Sequence, residues 1–316
     1  MPSQPIRFGF QTGQQNVSWP DLLALWQECE QLGFDSGWNF DHFMPIFADP
    51  AGPCLEAWTM LGALAMQTST LRIGTMVTGN TYRHPAVLAK MATTVDILSG
   101  GRLNLGLGAG WFELEHRAYD IAFPGLRDRL QMLDEALHVM KRLWTEAQPT
   151  FTGKYYQLRD AYFEPKSVQR PHPPIMIGAA GEQVALRIVA RHADAWNTFG
   201  SPEILGRKID VLRAHCQRIG RDPDDIEKSV LIPMMLTDDH TRAEQAARAT
   251  ATLWSLPLEE ARARMLVGDA SAVIQQIASF VDVGVTHIIL MLTPPYDLDG
   301  LRAFAGSVIP HFRTRS

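Results

Sequence analysis

Eight times along the chain, a short apolar run is followed by a segment whose apolar residues recur at helical spacing, and this alternation constrains the fold more than any other feature. The runs are Ile6 to Thr12, Phe34 to His42, Leu71 to Thr78, Leu103 to Gly110, Ile175 to Gly178, Ala195 to Phe199, Ser229 to Leu236 and Thr286 to Leu292. They are short and mostly apolar, as strands buried on both faces must be. Between them, Leu22, Leu25, Trp26, Cys29 and Leu32 form one helical stripe, opened by Trp19-Pro20-Asp21 and stopped at Gly33. His84-Pro85 opens another helix, and Leu130, Leu133, Leu137, Met140 and Leu143 line a third. Pro257 to Met265 and Ala270 to Val281 also read as helices. Eight such units in 316 residues fit an α/β fold, a single (β/α)8 TIM barrel over residues 1–316. A doubly wound sheet is the alternative. Thr150 to Arg170 interrupts the alternation and reads as an insertion at the C-terminal rim, as do the loops after strands two and seven.

A parallel barrel carries its chemistry at the C-terminal ends of its strands. Those ends read Gln11-Thr12, Asp41-His42, Met76 to Asn80, Gly106 to Trp111, Gly178 to Glu182, Asn197 to Phe199 and Thr293 to Pro295. A histidine exchanges a proton near neutral pH, so His42 is the candidate acid/base. Two ends are glycine-rich and run into helices, where backbone N–H groups and the helix dipole hold anions. Taken singly, an Asp-His pair reads as surface and a glycine run as a tight turn. Several such ends on one rim point to a site. Gly106-Leu-Gly-Ala-Gly110 lacks the dinucleotide-fingerprint spacing and falls on the fourth strand, so that reading is rejected. Trp38 and Trp111 lie where they can shape a pocket for a planar ligand.

Other chemistries find no support. The net charge is −5 with no basic run, so no nucleic acid is expected. Ten histidines are scattered without an H-x-x-x-H pair, and no metal is expected; Glu113, Glu115 and His116 read as a solvated helix start. There is no G-x-S-x-G elbow, and Cys54 sits in a Pro/Gly loop without a matched base. Three widely spaced cysteines fit a reduced, cytoplasmic setting. Met1 to Ile6 lacks the pattern of an export leader, and no apolar run is long enough to span a membrane, so no membrane partner is expected.

Trp38-Asn-Phe-Asp-His42, Leu71-Arg-Ile-Gly-Thr-Met-Val77 with His84-Pro85, Ser99-Gly-Gly-Arg-Leu-Asn-Leu-Gly-Leu-Gly-Ala-Gly-Trp111 and Pro174-Ile-Met-Ile-Gly178 together match one pattern. Over nearly its whole length the chain resembles the luciferase-like monooxygenase superfamily, and within it the oxidoreductases that use coenzyme F420. The resemblance implies a flavin or deazaflavin at the C-terminal rim, with hydride transfer to or from a small organic substrate. It implies acid/base work for His42 and a place beside the ring for Asp41. Met76 and Val77 match a pair joined by a non-prolyl cis peptide behind the ring. Gly108, Ala109 and Gly110, then Ala179, Ala180, Gly181 and Glu182, match segments that hold the ring edge and the phosphate. Gln11 and Glu115 join the cofactor-binding set by the same resemblance. Where some relatives have glutamate directly after the strand-four glycines, this chain has Trp111, which removes that group from any borrowed proton relay. An FMN-dependent monooxygenase supplied by a reductase is the alternative. A non-catalytic flavin-binding barrel is the third reading. Homodimers are common in the superfamily.

Overall fold

The computed structural model describes residues 5–313. Residues 1–4, on which the expectation of no export leader partly rests, lie outside the described residues. The strands, in chain order, are β1 (Arg7–Thr12), β2 (Ser36–Asn39), β3 (Arg72–Gly79), β4 (Leu103–Gly108), β5 (Phe151–Thr152), β6 (Gln157–Leu158), β7 (Ile175–Gly178), β8 (Ala195–Thr198), β9 (Glu227–Leu236), β10 (Leu266–Gly268) and β11 (His287–Leu292). Eight of them pair in parallel in the order β9-β11-β1-β2-β3-β4-β7-β8, and β8 pairs back onto β9. This is a closed (β/α)8 barrel.

Alternating side chains build two compartments, because neighbours on a strand point to opposite faces. Phe8, Phe10, Ile73, Leu105, Ile177 and Trp196 face outward into the helices and belong to the main core. Trp38, Met76, Met176, Leu231 and Ile289 form a second, smaller cluster inside the barrel. Phe10 packs edge-on against Trp26 at 5.2 Å and against Phe34 at 5.7 Å, fixing the first helix to the barrel wall. That helix, Trp19–Gln31, starts where Ser18 caps it and ends before Gly33 at φ 82°.

All eight sequence-read barrel strands are present. The second differs at its end: β2 stops at Asn39, so Asp41 and His42 stand beyond the ladder. The Gln14 side chain takes over there, donating to Phe40 O and accepting from Phe40 N–H. The expected helix from Pro257 to Met265 is present with Pro257 as its N-cap, and the correction is the short strand that follows it. The helix runs over Leu258–Ala263, and Leu266–Gly268 pairs as β10 with Met234–Leu236. Three residues are too few for a period-two pattern to register. The insertion between β4 and β7 holds the antiparallel β5–β6 pair. Ahead of that insertion lie the helices Glu113–Ala118 and Leu126–Thr145, the first of which the alternation did not reveal.

Candidate active site

His42 sits at the C-terminal mouth of the barrel, 5% exposed. Its Nδ1 lies 3.1 Å from Glu115 Oε1. Glu115 is fully buried, and the same carboxylate accepts from the Tyr82 hydroxyl and the Phe43 N–H. Burial would raise the Glu115 carboxyl, but the hydrogen bonds from His42, Tyr82 and Phe43 prevail and hold it below the usual carboxylate range. An ionised Glu115 is acceptor-only, so it fixes the proton of a neutral His42 on Nδ1. Nε2 then carries the lone pair, and it has no hydrogen-bond partner among the described residues. Burial and the neighbouring Glu115 push the Tyr82 phenol well up, so it stays a donor.

Aromatic rings surround this imidazole. Phe40, Trp111 and Phe112 stand edge-on to it at 5.3, 5.6 and 5.6 Å. Trp111, 54% exposed, stacks on Phe47, 63% exposed, at 5.8 Å. Phe47 and Trp111 thus leave large apolar surface open beside the imidazole.

Asp41 is beside His42 in sequence but not in its contacts. Its carboxylate is fully buried and takes two hydrogen bonds from Arg83, which also reaches Glu56. Burial raises the Asp41 carboxyl, against the pull of the Arg83 guanidinium. Asp41 anchors the loop that carries His42, rather than turning its oxygens to the cleft. Tyr82 and Arg83 were missed in the sequence. They lie between two segments that stood out, Met76 to Asn80 and His84-Pro85, on a strand-end loop of the kind that lines a rim. The solvated helix start is also corrected. Glu113 is exposed, but Glu115 and His116 are fully buried, and His116 bonds Thr81 and Phe112 O.

The Met76–Val77 peptide is cis, as the resemblance implied. Gln11 Nε2 donates to Met76 O at 2.9 Å and holds this bulge from β1. The β3–β4 register shifts between Thr75 and Thr78, where the bulge falls. The glycines opposite make room for it. A Cβ at Gly108 would meet Val77 Cγ2 at 2.9 Å, and one at Gly178 would meet both Val77 methyls at 3.0 Å. Gly110, at φ 80°, lies against Thr81, and Ala109 packs on the core. The protein itself therefore accounts for Gly108, Gly110 and Gly178.

The Ala179 to Glu182 turn is different. Its four carbonyls are all tied back into the protein: Ala179 O by Trp196 Nε1, Ala180 O by Lys208 Nζ, Gly181 O by Leu186 N and Glu182 O by His215 Nε2. In a trans peptide the next N–H points opposite to the carbonyl. The N–H groups of Ala180, Gly181, Glu182 and Gln183 are thereby turned away from those donors, ahead of helix Ala185–His192. A Cβ at Gly181 would meet only Ala185 Cβ, at 3.8 Å, so nothing in the protein demands glycine there. The carbonyls of this turn are spent inside the protein, and its amides lead into a helix N-terminus, where anions are held in other proteins.

The comparisons agree with this frame. The family profile described as luciferase-like monooxygenase matches residues 4–255. The F420-dependent glucose-6-phosphate dehydrogenase of Microbacterium testaceum is 30% identical, over 98% of each chain. Among solved structures, an F420-dependent secondary alcohol dehydrogenase in complex with an F420-acetone adduct superposes with a TM-score of 0.88. It is 24% identical over 98% of this chain and 100% of that one. A monooxygenase from Streptomyces bottropensis gives a TM-score of 0.82 at 22% identity, over 97% and 100%. At such identities the two structures speak for the fold alone. The profile over residues 4–255 and the relative at 30% identity carry the assignment: the chain belongs to the luciferase-like monooxygenase family.

Proposed function

We propose that the protein is an F420-dependent oxidoreductase acting on a small organic alcohol or carbonyl compound, with His42 as the acid/base. The observation that carries this reading is the buried Glu115–His42 pair, which leaves Nε2 as the exchanging nitrogen in an aromatic cleft beside the Met76–Val77 bulge. The name of the Microbacterium testaceum relative supports the choice of cofactor. When bound, a deazaflavin supplies hydride exchange at its C5. The chain does the rest. The Ala180 to Gln183 amides would hold its phosphate, and the Met76–Val77 bulge would lie behind its ring. Nε2 takes the hydroxyl proton as an alcohol is oxidised, or returns it to the oxygen of a carbonyl being reduced. Glu115, held ionised, stabilises the imidazolium that forms. Phe47, Trp111 and Phe112 exclude water and present an apolar wall to the substrate.

His42→Ala tests the assignment. General acid/base help is worth about 10²–10⁴ in rate. Turnover should fall within that range while cofactor affinity changes little. Full turnover in this variant would reduce His42 to a wall of the cleft. The homodimer belongs to the same proposal. Helices Ala57–Gln67 and Pro85–Leu98, with residues 161–163, line an apolar groove of about 600 Å³, and Tyr162 on it is 84% exposed. Sedimentation velocity at micromolar concentration should return a dimer; a monomer would leave that face free. Among the described residues no helix is long and apolar enough to cross a membrane.

A further inference from the structure

Away from the barrel mouth, two outer helices bring together an acid and two histidines. Asp134 and His138 are one turn apart on helix Leu126–Thr145, so their side chains share a face. His192 ends helix Ala185–His192. One ligand atom from each of the three lies within 4.8 Å of the others. His192 Nε2 is 2.9 Å from Asp134 Oδ1, and the His138 ring stands at 90° to the His192 ring with centroids 4.6 Å apart. The cluster is assembled across helices, so spacing along the chain could not reveal it.

We propose that Asp134, His138 and His192 form a site for a divalent transition metal of the zinc class. Two imidazole nitrogens and one carboxylate oxygen are a borderline-soft donor set, suited to zinc rather than to magnesium or calcium. His192 is 4% exposed, and its carbonyl accepts from Lys141 Nζ at 2.9 Å, so this ligand is held from behind. His138 is exposed, has no hydrogen-bond partner among the described residues, and leaves one side open for water as a fourth ligand. Burial, with the nearby His138 and Lys141, pushes the His192 imidazole toward its neutral form despite the Asp134 carboxylate. Burial opposes ionisation of Asp134, but the His192 hydrogen bond and the Arg191 charge hold its carboxyl below the usual range. Arg191, 3.1 Å from Asp134 Oδ2 and exposed, holds the carboxylate's second oxygen. A bound ion would clamp helix Ala185–His192, which begins behind the Ala179 to Glu182 turn, to its neighbour.

The test is zinc binding to the full chain after chelator treatment, measured by competition with a chromogenic chelator and by thermal melting. The wild-type chain should bind one equivalent at micromolar affinity or better and melt at higher temperature with zinc present. His138→Ala changes an exposed side chain and should fold as the wild type does. It should weaken binding at least tenfold and lose the zinc-dependent rise, as should Asp134→Asn. His42→Ala should keep the bound equivalent, which separates this site from the Glu115–His42 pair. Wild-type affinity in His138→Ala, loss of the equivalent in His42→Ala, or no stoichiometric binding by the wild type would each overturn the proposal.

Discussion

At the scale of single residues, the sequence led to His42 because a histidine beside an acid at a strand end is a recognisable place for proton exchange. It did not show which acid partners the imidazole. The neighbour in sequence, Asp41, is bound by Arg83, whereas Glu115, 73 positions away, takes Nδ1. Only closure of the barrel brings the strand-two loop against the helix after β4. Glu115 itself was named through the resemblance; its full burial and its hydrogen bond to His42 favour a positioning role within the proposed function. Glu115→Gln tests this. An amide keeps the shape but loses the charge that favours imidazolium over imidazole. We expect kcat to fall toward the lower end of the ~10²–10⁴ range for acid/base help. The pH profile of kcat should also move to lower pH. A purely structural Glu115 would lower stability and leave the profile in place.

Secondary elements were legible where their period was long enough to read. The eight barrel strands and the capped helices were recovered, because apolar repetition and Pro or Gly punctuation mark them. The short pieces were less so: β10, with three residues, gave no period, and the six-residue helix Glu113–Ala118 was read only as a solvated start. The glycine-rich ends carried two different meanings that composition cannot separate. Gly108 and Gly178 clear space for Val77, whereas Gly181 has open space above it. Gly181→Val is therefore an informative substitution. The glycine is not at positive φ, and its nearest contact would be at 3.8 Å. The variant should melt near the wild-type temperature and, if the proposed phosphate position holds, bind cofactor at least tenfold more weakly, because a branched side chain would stand over the amides. A folded variant with unchanged cofactor affinity would put the phosphate elsewhere.

Across the whole molecule, the closed barrel separates a chemical end from a structural one. At the N-terminal end, Arg7 and His287 both contact Glu227, His287 Nε2 lies 2.9 Å from Ser36 Oγ, and Trp38 Nε1 donates to the same oxygen. This network links the neighbouring strands β9, β11, β1 and β2. Burial alone would raise the Glu227 carboxyl, but His287 and Arg7 hold it down to about 2. A carboxyl depressed on folding adds stability that is complete above its unfolded value, about 4.3. That stability is lost as the pH falls toward 2. Glu227→Gln should therefore be destabilised by roughly 1–3 kcal/mol at pH 7. It should also show a shallower loss of stability between about pH 4.5 and 2 than the wild type, read from urea midpoints. Equal acid slopes in the two proteins would mean that this network contributes nothing to acid sensitivity. At the opposite end stand the Glu115–His42 pair, the Met76–Val77 bulge and the Ala179 to Glu182 turn, where the proposed function puts the deazaflavin and the organic substrate. The most direct measurement is titration of the purified protein with F420 and, separately, with FMN, followed by cofactor fluorescence. Saturable binding of F420 at least tenfold tighter than FMN is the expected result. FMN binding more tightly, or no saturable binding of F420, would contradict the account.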